Sequence, residues 1–152
     1  MSLTYEARFA SIERYIVAAH GSPRPLTAQE MLVIDGFAQA VLFEVEDVWP
    51  VETSLSRDSF DYTIEDGGYG SDDPVGFTIN NPVWYVQFVH RTGEGPTPLW
   101  TWLLPQVIQS AAPPWLAKLR LAIDVTEATI KRGNPLYKII ATGAQRFSIG
   151  VQ

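Results

Sequence analysis

Two histidines and seventeen acids are the first candidates for moving a proton in this sequence, and with no cysteine every thiol reaction is absent. A nucleophilic centre needs Ser, Thr or Cys beside a histidine that a carboxylate orients. The set to test is His90 with Asp58 or Glu94, and Ser59 as the hydroxyl. No nucleophile elbow accompanies it, and Ser59 falls at the start of an expected strand. His90 therefore reads as a partly buried histidine closing a short helix. His20 and His90 lie far apart, each without the close second ligand of a zinc motif. Paired carboxylates for glycoside chemistry need one acid of raised pKa. Here the acids cluster in polar stretches that offer no apolar pocket to raise it. No catalytic residue, no metal and no cofactor is expected, and the chain is read as a non-enzyme.

Two further features invite a ligand. The stretch Asp66-Gly67-Gly68-Tyr69-Gly70-Ser71-Asp72-Asp73 has three glycines, but the phosphate-loop spacing, the following helix start and the lysine are missing, and its aspartates repel phosphate. The ligand spacing of a calcium loop is missing too. Trp84, Tyr85, Trp100, Trp102 and Trp115 invite a ligand-cage or base-stacking reading, but they cluster next to prolines. That setting favours a core closed by a loop, or interface anchors.

The elements that must position these residues fit one α+β domain over 1–152. Tyr5, Phe9, Ile12 and Ile16 recur at helical spacing and predict a first helix over 4–18, broken by His20-Gly21-Ser22-Pro23. Thr27 and Glu30 form a capping box, with Leu26 placed to staple onto Met31. Met31, Ile34, Ala38, Val41 and Val45 carry that second helix to about Glu46. Alternation in 58–65 and 74–80 predicts an antiparallel hairpin with the acidic stretch as its tip. Residues 83–90 read as a short helix opened by Asn81 and Pro82, with a strand as the competing reading. A proline-punctuated aromatic loop follows, with a helical piece over 105–110. Pro113-Pro114 opens a helix to about Arg132 that Gly133 stops. The region 136–151 reads as a C-terminal hairpin. The expected fold is thus N-terminal helices and a long C-terminal helix packed on an antiparallel sheet, with that extra hairpin.

Charge is uneven along the chain. Residues 44–73 hold ten acids against the single base Arg57, whereas residues 117–152 hold six bases against two acids. A net charge of −6 disfavours tight nucleic-acid binding, which depends on cationic contacts to phosphate. Oppositely charged regions can instead pair head-to-tail between copies in a ring. No apolar run approaches the ~20 residues of a membrane helix. The start of the chain has no secretory pattern, and a soluble intracellular product is expected.

Two segments carry a resemblance. Trp49-Pro50-Val51-Glu52-Thr53-Ser54-Leu55-Ser56-Arg57-Asp58-Ser59-Phe60 resembles the Pro-Val-Asp-Thr-Gly-x-Leu-Arg-x-Ser-aromatic segment of phage neck and minor-tail proteins. Asn80-Asn81-Pro82-Val83-Trp84-Tyr85-Val86-Gln87-Phe88-Val89-His90 resembles a second segment of the same tail-completion group, which includes the lambda Z-type proteins. Ser54 stands where the pattern has Gly, Val86 where it has Ala, and Gly93 comes two residues late. The resemblance covers about 27–132. It implies helices before the first segment, a hairpin between the two and a helix after the second. It also implies a virion protein made in the host cytoplasm and built into the head–tail junction. Its partners would be copies of itself, a connector or closure ring, and a tail terminator or tube protein. DNA would pass without sequence-specific binding. Pro50, Thr53, Arg57, Asn81, Tyr85 and Phe88 are the structural motif positions. Gly68, Tyr69, Asp72, Asp73, Trp100, Trp102, Arg146 and Phe147 are the candidate interface residues. The rival readings are a tail-terminator ring subunit and a small ligand-binding domain or hydrolase with an aromatic pocket near His90.

Overall fold

The capping box is where sequence and structure meet most directly. In the computed structural model, which describes residues 3–49, 54–68, 73–83 and 99–133, Glu30 N–H donates to Thr27 Oγ1 at 3.3 Å and Thr27 N–H donates to Glu30 Oε1 at 2.8 Å. These bonds satisfy two donors that the first turn of a helix leaves unpaired. They start α2, Ala28–Val48, which buries Ile34, Phe37, Ala38, Val41, Leu42 and Val45 on one face.

The chain begins as a strand, not a helix. β1 is Leu3–Arg8 and α1 is Ala10–His20, so the helix expected over 4–18 starts late. Residues 3–8 fit two periods at once. Tyr5 and Phe9 suit a helix, but Leu3, Tyr5 and Ala7 also alternate with the exposed Thr4, Glu6 and Arg8. The ladder offered by a neighbouring strand decides between them. Phe9 N–H donates to Val75 O at 2.7 Å, fixing the junction between strand and helix. Gly21 ends α1 at φ 97°, a left-handed conformation, with its N–H on Val17 O at 2.8 Å.

The short α3, Ser54–Arg57, follows, and then the expected hairpin: β2, Asp61–Asp66, and β3, Val75–Asn81. Among the described residues the sheet has three antiparallel strands in the order β1-β3-β2, with Tyr5, Ile79 and Tyr62 in one row. Ala7, Phe77 and Ile64 form the next row, so one face is apolar. Gly76 belongs where it is because a Cβ there would collide with the Ala7 carbonyl oxygen.

The last helix is longer than its prolines suggest. α4 runs without interruption from Leu99 to Gly133 through Pro105, Pro113 and Pro114, where a loop and two separate helices are expected. An interior proline removes one hydrogen bond and crowds the carbonyl four residues earlier. Those carbonyls belong to Thr101, Gln109 and Ser110, all exposed positions where water can take the lost donor's place. Burial of Leu103, Leu104, Val107, Leu119 and Ile123 holds the path. α4 lies along α2, where Trp115 sits directly over Gly36. Phe9, Phe37 and Phe77 form the centre of the core, with Phe37 stacked on Trp115 at 6.2 Å. The expected elements at 83–90 and 136–151 lie outside the described residues, apart from Val83. Among the described residues no helix is long and apolar enough to cross a membrane.

Candidate assembly surface

The two segments that carry the resemblance meet in a buried junction. Trp49, at the end of α2, donates its indole N–H to Ser56 Oγ at 2.8 Å and packs edge-on against Phe60 at 4.9 Å. Asn81, the last residue of β3, is fully buried and donates its amide to Ser56 O at 2.7 Å. Its side-chain oxygen accepts from Val83 N–H at 3.1 Å, the turn-opening bond expected of an Asn before a proline. Ser56 thus receives one bond from each segment. Arg57 pairs with the neighbouring Asp58 at 3.1 Å, as expected of a base among acids. Ser59 Oγ donates to Leu55 O at 2.6 Å, which occupies its proton in closing α3. Pro50, Thr53, Tyr85 and Phe88 lie outside the described residues, as do His90 and Glu94.

Gly68 and Asp73 lie side by side at the root of the β2–β3 hairpin. Both line a groove of ≈ 390 Å³ together with Ile16, Val17 and Pro23. Tyr69 and Asp72 lie outside the described residues. Trp100 is in the first turn of α4, and Trp102 is half-buried against the core. Arg146 and Phe147 also lie outside the described residues. Of the candidate interface residues, four lie among the described ones, Gly68 and Asp73 at the hairpin root and Trp100 and Trp102 on α4, in two separate regions.

One charged cluster escaped the reading of the sequence. Arg24 is 8 % exposed and holds Glu30 with two bonds of 2.8 Å and Glu127 with a third of 2.8 Å. His20 Nδ1 lies 3.1 Å from the other oxygen of Glu127. Burial alone would push Glu30 upward, but the Arg24 guanidinium, the Thr27 N–H and the Thr126 hydroxyl hold it below its ordinary value. Arg24 is likewise pushed down by burial, and its two carboxylates raise it by more. Each carboxylate oxygen of Glu30 is met by a donor, so the cluster is a tie rather than an acid waiting for a substrate. It joins the 22–27 connection to the start of α2 and the last turns of α4. A signal was present: Glu127 interrupts the stripe Leu119, Ile123, Ile130, and Arg24 stands between two prolines just ahead of the capping box.

Among the described residues no cluster of three or more His, Asp or Glu could hold a metal. Comparison of the chain with protein families, with curated proteins and with solved structures finds no match.

Proposed function

We propose that this chain is a structural subunit of the head–tail junction of a tailed bacteriophage, a neck or tail-completion protein without catalytic activity. The observation that carries the proposal is the buried junction of Trp49, Ser56, Phe60 and Asn81. Asn81 of the second segment bonds Ser56 of the first, and Trp49 and Phe60 of the first segment close over the same point, inside the domain. Polar residues spent in this way build a scaffold. The order of elements supports the same reading. Two helices precede the first segment, the hairpin lies between the segments, and α4 follows the second.

In this reading the subunit forms a ring between a connector or closure protein and a tail terminator or tube protein. The acidic stretch 44–73 faces the DNA path, where it repels phosphate and lets DNA slide. The hairpin tip and the 136–151 segment, read as a hairpin, reach the neighbouring rings. Negative-stain images of the purified protein, alone and mixed with tails from the parent phage, test the proposal. Rings that seat on the head-proximal end of tails are expected. A protein that leaves tails bare would contradict it.

A further inference from the structure

Two helix faces carry apolar side chains that the fold does not bury. α1 and α2 pack on the sheet, and α4 packs on both of them. With Leu119 and Ile123 of α4 turned inward, the helical period points Leu121 and Val125 outward, and Leu121 is 63 % exposed. The second stripe is on α2. Gln39 donates to Tyr62 Oη of β2 at 3.2 Å, and Gly36 lies under Trp115 of α4. On the flank between those two contacts Leu32 and Phe43 are exposed, Phe43 at 74 %. Positions 32, 36, 39 and 43 follow one another at steps of three and four, so they share one side of the helix.

The rims of the two stripes differ in sign. α2 holds no lysine or arginine, and beside Phe43 it exposes Glu44 and Asp47, neither of which forms an ion pair among the described residues. On α4, the exposed Lys118 and Arg132 flank Leu121 and Val125 and likewise meet no carboxylate there. The Lys118 ammonium lies over the Trp115 ring at 4.2 Å, a contact that leaves its charge in place. The acids of α4, Asp124 and Glu127, already hold Tyr15, His20 and Arg24. Scattered exposed apolar residues are ordinary, but two apolar stripes with opposite charge at their rims are complementary.

We propose that these stripes are the two halves of a self-association contact, in which the outer face of α2 receives the outer face of α4 from a second copy of this chain. Phe43 fits between Leu121 and Val125, and on helices running antiparallel Asp47 then meets Lys118. From Phe43 to Asp47 is an axial step of about 6 Å, and from the midpoint of Leu121 and Val125 back to Lys118 is about 7.5 Å, so the charges come nearly level. Rim charges set register and partner choice, while burial of Phe43 supplies the attraction. The two faces are unlike, so the contact is heterologous and each copy can add a further one. The inference is drawn from these faces and not from the virion reading. A ring held by other surfaces would end it and spare that reading, and association through these faces with tails left bare would do the reverse.

Sedimentation velocity of the full chain over a concentration series tests it. The wild type should grow past a dimer as concentration rises. Glu44→Lys with Asp47→Lys, and separately Lys118→Glu with Arg132→Glu, should each weaken association about tenfold or more, with little change in melting temperature. An equimolar mixture of the two variants should restore it, because each then meets the opposite charge on the other. Phe43→Ser removes an exposed side chain, and should weaken association to a similar extent while the fold stays intact. A wild type that stays monomeric or stops at a dimer overturns the proposal. So does association that Phe43→Ser or the charge reversals leave unchanged, or that mixing fails to restore, since the contact would then join other surfaces.

Discussion

Arg24 shows what a single residue decides in this molecule. It meets Glu30 and Glu127 inside the protein, so its removal leaves two acids buried without their cation. Arg24→Met should cost about 3–5 kcal/mol, the usual penalty for breaking a buried pair from one side, and urea unfolding would measure it. The sign of the pH dependence follows from Glu30, whose folded pKa lies below its ordinary 4.5. Its contribution is fully present above the unfolded value and is lost as pH falls through the folded one. Wild-type stability should therefore decline as pH drops below about 4.5, and Glu30→Gln should flatten that decline. A wild-type curve parallel to that of the Gln variant would show that the ion pair contributes nothing to acid stability. Asn81 matters in the same way. Asn81→Ala strands the Ser56 carbonyl and the Val83 N–H, and should cost about 2–4 kcal/mol, from two unpaired polar groups. A loss under 1 kcal/mol, roughly one ordinary hydrogen bond, would mean that the junction of the two segments is not a structural centre.

At the scale of elements, the sequence was legible where one local signal acted without a rival. α2 announced itself through Thr27, Glu30 and an unbroken apolar stripe, and β2 and β3 through alternation bounded by glycines. β1 was hidden because residues 3–8 carry both periods, and only the partner strand chooses between them. α4 was hidden because proline is a strong local stop signal, while the packing that overrides it comes from α2, far away in sequence. The Arg24 cluster was hidden for a similar reason, since it joins positions about a hundred residues apart. If the exposed Thr101, Gln109 and Ser110 carbonyls make the prolines tolerable, Pro113 is a local cost with no packing role. Pro113→Ala should then stabilise the protein by about 1–2 kcal/mol, the helix-propensity gain less the unfolded-state entropy that proline removes. A loss of stability would instead show that the proline bends α4 to seat Trp115 on Gly36. In the core, Phe37 touches Phe9, Phe77 and Trp115, and Phe37→Ala should cost about 3–5 kcal/mol in the same unfolding assay.

For the whole molecule, the reading is of a scaffold with most of its chemistry turned inward and its charge spread outside. The described ion pairs, the aromatic core and the segment junction are all accounted for by folding. Among the described residues, the features that folding does not account for are on the surface and include the acid-rich run and the groove at the hairpin root. Deleting Gly68–Asp72 should leave the melting temperature nearly unchanged, because Gly68 lies outside the core and its neighbour Gly67 can still lead into a turn. The same deletion should block joining of heads to tails. The most direct test of the central claim is electron microscopy of lysates from the parent phage carrying a null mutation in this gene. DNA-filled heads and separate, full-length tails should accumulate unjoined, and the protein supplied in trans should restore complete particles. Intact, infectious virions assembled without it would contradict the account.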